Sequence, residues 1–345
     1  MSHIIIKMDK KDLQIMEIFA QNCRIPHTTI AQALKISKDT VSYKIKKLEK
    51  SKFIKEYILF VDSRRLGFTR YHILIKFDAG IKDKQKLYDK VSKHKFVMWV
   101  NSFIGRYDLQ IIIDATNSFH LNQIREELFE FCDNKIKEYF ILTHLSDLEF
   151  TQLNPILDLK TKFQKKLDHS FSSLLTTRNF PVKPNFEKYD FTKTDCDIMN
   201  ILADNPKESL INIARKLGID RNTVKKKITL LIKNKVILNF GGIPNLSKQG
   251  FVTYYLLVRV NQGTALNVLK KPFSKLQNIF YAGKMIGDYD MILYLNARNP
   301  QELNSSIELF KSEIESHIIH YDLLVQDKVH YWRQFTEGIY EYLIK

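Results

Sequence analysis

The chain has 345 residues, 44% apolar and 27% charged, which gives room for two to four compact domains, each burying its own core. Its net charge of +16 favours a polyanionic partner, because phosphates met by Lys or Arg release condensed counterions; charge alone does not choose among DNA, RNA and an anionic membrane. Three cysteines without CxxC spacing exclude a disulfide framework, and no apolar run approaches the length of a signal or membrane segment, so a cytoplasmic protein without a membrane partner is expected.

The first half lies on the second when 183, and later 182, is added to the residue number. Asp12, Ile15 and Met16 land on Asp195, Ile198 and Met199; Ile30, Ala31, Leu34, Ile36, Thr40, Val41 and Ile45 land on Ile213, Ala214, Leu217, Ile219, Thr223, Val224 and Ile228. Gly67 and Phe68 match Gly250 and Phe251, and Gly105, Tyr107 and Asp108 match Gly287, Tyr289 and Asp290. So long a period reads as a duplicated two-part module rather than a solenoid of about 20–50-residue repeats. Basicity tracks the start of each copy: residues 1–68 carry 14 Lys and Arg against 7 Asp and Glu, and residues 190–250 carry 11 against 6.

In chain order, Leu13, Ile15, Met16 and Phe19 predict a helix from Asp9 to about Ala20, with Asp9 and Asp12 at its start. Ile30, Ala31 and Leu34 form one face of a second helix from about His27. A tight turn at Lys35-Ile36 follows. Ser37 then caps a third helix whose stripe of Val41, Ile45 and Leu48 faces inward. Facing outward are Lys38, Thr40, Tyr43, Lys44, Lys46 and Lys47. The alternating run Phe53 to Phe60 is a strand. Three short helices and a strand read as a winged helix-turn-helix, whose third helix enters a major groove of double-stranded DNA. Side chains at that helix's start reach base edges, while lysines farther along meet phosphates. In the second copy Asp220 caps Arg221, Asn222 and Thr223, Val224, Ile228 and Leu231 face inward, and Lys225, Lys226 and Lys227 face out. The DNA-binding residues expected are thus Ser37, Lys38, Thr40, Tyr43, Lys44, Lys46 and Lys47, with Arg221, Asn222, Thr223, Lys225, Lys226 and Lys227.

After Gly67 the period changes. Tyr71 to Phe77, Phe96 to Ile104, Leu109 to Ile113 and Ile136 to Leu142 read as strands, with helices at Lys82 to His94 and from Asn117 to about Phe131. The order βαββαβ predicts a ferredoxin-like sandwich with both helices on one face. Copy two matches, with strands at Val252 to Val260, Ile279 to Ile286, Met291 to Leu295 and Ile318 to Val325. Each sheet's other face needs cover, which the duplicate supplies. Between the copies, Ile156 to Leu167 predicts a connecting helix and Arg178 to Pro184 an extended crossing. The aromatic tail from Val329 reads as packing surface.

The fold class expected is therefore α+β, two copies of a winged helix-turn-helix followed by a ferredoxin-like βαββαβ sandwich. The divisions are 8–62, 68–146, a connector at 147–189, 190–245, 250–327 and a tail at 328–345.

At Asp9-x-x-Asp12, Asn22-x-Arg24, Ile30-Ala31, Ser37-x-x-x-Val41, Leu48-Glu49 and Gly105-x-Tyr107-Asp108 the chain resembles the Lrp/AsnC, or feast/famine, family of transcriptional regulators. The resemblance covers most of residues 8–144 and, more loosely, 191–325. It implies DNA binding by the winged domain, and dimerisation and sensing of an amino acid or other small effector by the βαββαβ domain. It also implies effector contacts near Gly105, Tyr107 and Asp108 and near Gly287, Tyr289 and Asp290, where glycine permits a positive-φ turn and Asp bonds its own backbone. Three departures stand out. The chain carries two modules, so that it is either an intrachain pseudo-dimer or part of a homo-oligomer; Lys52 and Lys235 occupy the place where the family prefers Gly; and Asn205-Pro206-Lys207 only approximates the Asn-x-Arg element.

The function expected is a sequence-specific DNA-binding transcriptional regulator, not an enzyme, without cofactor or metal. Two alternatives stand beside it. One is a tetrapyrrole enzyme resembling siroheme decarboxylases, in which His72, His94, His120 or His144 faces a cavity. The other is an architectural DNA-bridging protein with little sequence choice.

Overall fold

The computed structural model describes residues 8–78, 81, 83–133, 135–150, 189–276 and 278–345. The connector expected over most of 147–189 lies outside the described residues. The first copy consists of α1 (Lys10–Gln21), α2 (His27–Leu34), α3 (Lys38–Lys50), β1 (Ile54–Val61), β2 (Thr69–Phe77), α4 (Lys84–Ser92), β3 (Val97–Ile104), β4 (Leu109–Ala115), α5 (Ser118–Glu130) and β5 (Ile136–Phe150). The second repeats it with α6 (Lys193–Asp204), α7 (Leu210–Leu217), α8 (Arg221–Lys233), β6 (Ile237–Pro244), β7 (Val252–Val260), α9 (Leu266–Lys270), β8 (Ile279–Ile286), β9 (Met291–Ala297), α10 (Pro300–Ile314) and β10 (Ile318–Trp332); α11 (Glu337–Leu343) ends the chain.

The elements fall into two compact units that cut across the copies rather than between them. One gathers both winged helix-turn-helix segments. Its centre is a two-stranded antiparallel pairing of β1 with β6, Ile54 opposite Pro244 and Val61 opposite Ile237. Adding 183 to 54 and 61 gives 237 and 244, so the pairing maps onto itself when the copies exchange places. The two halves are thus related by a pseudo-two-fold. Gly242 of β6 lies where a Cβ would stand 3.2 Å from the Phe19 carbonyl oxygen, which lets β6 pack closely on α1.

Caps define the helix starts. Asp9 accepts from the Asp12 amide while Asp12 accepts from the Asp9 amide, and Ser37 Oγ accepts from the Thr40 amide at 3.0 Å. The turn before α3 has Lys35 at φ 53°, and its equivalent before α8 is Gly218 at φ 64°. After α3 and α8, Lys52 and Lys235 adopt φ 55° and 56°. The family's glycine conformation is therefore kept by lysines in both copies, at a steric cost of roughly 1–2 kcal/mol each.

The other unit is an eight-stranded closed barrel, in the order β10-β3-β4-β2-β5-β8-β9-β7. Each four-stranded sheet keeps its two helices outside. Ile73, Ile111 and Ile113 pack under Leu87, Val91, Ile124 and Leu128 in copy one, and Leu256, Leu293 and Leu295 pack under Leu303, Ile307 and Phe310 in copy two. The opposite faces, including Leu74, Ile112, Leu257 and Ile292, meet across the barrel interior. The duplicate sheet does cover the free face. It also joins it at the edges, through β5 with β8 and β10 with β3.

Those joints explain two differences from the sequence reading. β5 runs to Phe150 and β10 to Trp332, past the expected ends at Leu142 and Val325, because each strand's second half pairs with the other copy. The expected tail at 328–345 therefore begins as strand, and only residues beyond Trp332 leave the barrel.

Candidate functional site

Helices α3 and α8 present the side chains expected to meet DNA. On α3, Ser37, Lys38, Lys46 and Lys47 are exposed, Tyr43 is 68% exposed, and Thr40 is half-buried with its hydroxyl 2.8 Å from Ser37 Oγ. On α8, Arg221, Asn222, Thr223, Lys225 and Lys226 are exposed. Beneath both surfaces lie the buried stripes Val41-Ile45-Leu48 and Val224-Ile228-Leu231, which fix which way the polar residues point.

Lys44 is a correction to the outward set. Its ammonium turns back onto α1, bonding Asp9 and, at 2.9 Å, the fully buried Asp12, and its side chain is only 13% exposed. Burial disfavours that charge, but the bonds to Asp9 and Asp12 outweigh it and raise the Lys44 pKa; the Lys44 bond in turn lowers that of Asp9. Lys47 stays outside while reaching Asp12 at 3.2 Å. In the second copy Lys227 meets Asp195 at 3.0 Å and its side chain is 23% exposed. The signal was in the duplication: Asp12 and Lys44 recur together as Asp195 and Lys227, marking a helix-to-helix tie.

The Asn-x-Arg element joins the two copies. Arg24 donates to the carbonyls of Pro206 at 2.6 Å and Glu208 at 2.8 Å, while Asn22 Oδ1 accepts from the Arg24 amide. Its equivalent Lys207 reaches the other way, to Glu49 at 2.6 Å. Lys207 thus crosses to copy one as Arg24 crosses to copy two, but onto different groups, the side chain of Glu49 rather than backbone carbonyls, so this pair of contacts departs from the pseudo-two-fold. Strand β1, expected as a wing, spends its ladder on β6.

The turns expected to contact an effector hold the barrel together. Gly105 and Gly287 have φ 143° and 141°, and a Cβ on either would press on the opposite copy, at Leu324 and Leu142. Asp108 accepts from the Phe77 amide and Asp290 from the Val260 amide, closing matching turns. The buried Tyr107 and Tyr289 touch through their hydroxyls at 3.1 Å, and Arg106 spans to Asp322 at 2.9 Å.

Of the four histidines, two come together. His72 and His144 stack at 6.2 Å, with His144 3.1 Å from Asp147. Burial first, then His144 and Arg70, push the His72 pKa well down, so its ring is neutral. His94 is bound instead to Glu127 at 2.8 Å, and His120 lies edge-on to Phe96 at 4.5 Å. His120 and Glu127, the partner of His94, line an open pocket of about 370 Å³ beside α11. Among the described residues no three His, Cys, Asp or Glu side chains are placed to hold a metal ion, and no helix is long and apolar enough to cross a membrane.

A family profile described as winged helix-turn-helix DNA-binding matches the chain twice, at residues 8–55 and 191–237. The HTH-type transcriptional regulator LysM of Sulfurisphaera tokodaii is 31% identical over 121 residues, 35% of this chain and 84% of the relative. The HTH-type transcriptional regulator FL11 of Pyrococcus abyssi is 29% identical over 119 residues, 34% of this chain and 78% of the relative. Over the whole length the fold is similar to that of the siroheme decarboxylase NirDL, at TM-score 0.61 and 14% identity, covering 97% of both chains.

Proposed function

Because the chain belongs to the Lrp/AsnC family of DNA-binding transcriptional regulators, in duplicated form, we propose that α3 and α8 are its two DNA-reading helices. The carrying observation is that both expose a polar, basic start over a buried stripe while one symmetric β pairing couples them. Ser37, Lys38, Thr40 and Tyr43 on α3, with Arg221, Asn222, Thr223 and Lys226 on α8, are the base-proximal set; Lys46, Lys47 and Lys225 meet phosphates. Lys44 and Lys227 hold the helices at the required angle. The faces differ, Tyr43 standing where Lys226 stands, so two unlike half-sites are read about one helical turn or a multiple apart.

A single chain acts in this reading as its own dimer, in the cytoplasm, without catalytic activity. An amino acid or similar effector biases it, with Gly105, Tyr107 and Asp108 and Gly287, Tyr289 and Asp290 setting the barrel joint that responds. Fluorescence anisotropy with a labelled promoter fragment and random competitor at fixed salt tests the reading. A preference of about 10³ supports regulation, equal competition leaves a DNA-bridging protein, and no complex at modest salt removes DNA binding altogether.

The second reading is an enzyme, which rests on the whole-length fold likeness to a siroheme decarboxylase, also solved with an iron-uroporphyrin III analogue. A Soret band that co-purifies with the chain, or appears on adding iron-uroporphyrin, supports it.

A further inference from the structure

The two winged segments differ at one matched pair of positions. In copy two, Leu210 opens α7 and the exposed Lys225 lies on α8; subtracting 183 gives His27, which opens α2, and Ser42 on α3. In copy one the pair is bonded. His27 Nδ1 lies 2.9 Å from Ser42 Oγ, and Ser42 donates its proton to the Lys38 carbonyl at 3.0 Å. The hydroxyl has one proton to give, so Nδ1 is the donor and the neutral ring keeps its lone pair on Nε2. That nitrogen has no partner among the described residues, on a ring that is only half-buried.

The groups around the ring are mostly cationic. Lys38 of α3 is exposed and without an ion pair among the described residues, and Lys207 acts on the ring from copy two. The nearby carboxylate, Glu49 of α3, is already bonded by Lys207 and by the Tyr57 hydroxyl, each at 2.6 Å. From α1 the ring meets only Phe19, at 6.4 Å. Burial first, then Lys207 and Lys38, lower the His27 pKa, and Glu49 offsets part of the shift, so the free chain holds the ring neutral near pH 7. A protonated ring here lacks a counter-ion of its own. A duplex brings one, because the first helix of a helix-turn-helix crosses the phosphate backbone while the second enters the groove.

We propose that His27 is a proton-dependent phosphate ligand: as DNA binds, Nε2 takes up a proton from solvent and donates the new N–H to a backbone phosphate oxygen of the copy-one half-site. Copy two presents the permanent charge of Lys225 at the matching place. This rests on the reading of α3 and α8 as DNA-binding helices and adds a regulation to it, since one half of the grip tightens on acidification and the other does not. The contact is to backbone and carries no sequence choice.

A labelled duplex of random sequence is therefore a sufficient probe, followed by fluorescence anisotropy of the full chain at fixed modest salt between about pH 5 and 8. Affinity of the parent chain should rise as pH falls, by up to about tenfold per pH unit between the free-ring value, below 6.5, and the higher value in the complex. Its salt slope should steepen by about one over the same range. His27→Leu, which installs the copy-two residue, should remove both effects. His27→Lys should bind at every pH about as tightly as the parent does in acid. Circular dichroism confirms that each variant is folded. The proposal alone is overturned if the parent binds the duplex equally across the range, or if either folded variant keeps the parent's pH dependence; absence of any complex at modest salt overturns it together with the DNA-binding reading.

Discussion

Tyr107 and Tyr289, residues 182 apart in sequence, meet hydroxyl to hydroxyl at 3.1 Å where the two βαββαβ halves join. Each is the other's duplicate, so the contact sits on the pseudo-two-fold. Asp322 accepts from the Tyr289 hydroxyl, and the Arg106 guanidinium lies 3.3 Å from it. Burial first, then the carboxylate of Asp322, raise the Tyr289 pKa far above the usual phenol range, so it remains a donor. Tyr107→Phe and Tyr289→Phe should each destabilise the chain, and the double variant should cost less than the sum by about 1 kcal/mol, measured by urea unfolding. Strict additivity would show that the hydroxyls do not support one another.

The tie between Lys44 and Asp12 separates folding from DNA contact. Lys44→Ala leaves a carboxylate with no exposure held by the Asp9 amide and one cation, Lys47, and should destabilise by about 1–3 kcal/mol. Lys46→Ala, from an exposed position, should leave the melting temperature nearly unchanged and flatten the salt dependence of DNA binding. Reversed outcomes would move Lys44 back into the interface.

Left-handed lysines invite stabilisation. Lys52→Gly and Lys235→Gly remove a Cβ penalty at φ 55° and 56°, partly offset by the greater freedom of glycine in the unfolded chain. A net gain of up to about 1 kcal/mol per site is expected from chemical denaturation, with DNA affinity unchanged.

Glu17 gives a pH signature. Burial raises its pKa to about 7, and its Oε2 has no partner among the described residues. The folded chain therefore holds a proton that the unfolded chain releases near the ordinary value of 4.5, so stability falls as pH rises from that value to about 7. Glu17→Gln removes the loss: its melting temperature should match the parent's at pH near 4 and exceed it above about 7. A constant difference across that range would assign the effect to packing.

The duplication and the inward stripes Val41-Ile45-Leu48 and Val224-Ile228-Leu231 were readable from sequence because they depend on local period, which survives copying. Strand ends were not. Register shifts between His144 and Ser146 and between Asp147 and Glu149 break the two-residue alternation where β5 crosses to its new partner. Lys44 looked outward because its position on α3 is polar, whereas its placement is decided by Asp12 on another helix. His72 and His144 stood alone as letters, and only the barrel brings them within stacking distance. Tertiary pairing of distant segments carries no local pattern.

A ring of eight strands has no first or last member. Each strand has a neighbour on both sides, β5 joining β8 and β10 joining β3. Because β5 and β10 pair along one half with their own copy and along the other with the duplicate, strand addition to this sheet is confined to their one-sided stretches, and other assembly on the barrel grows through its helical exterior.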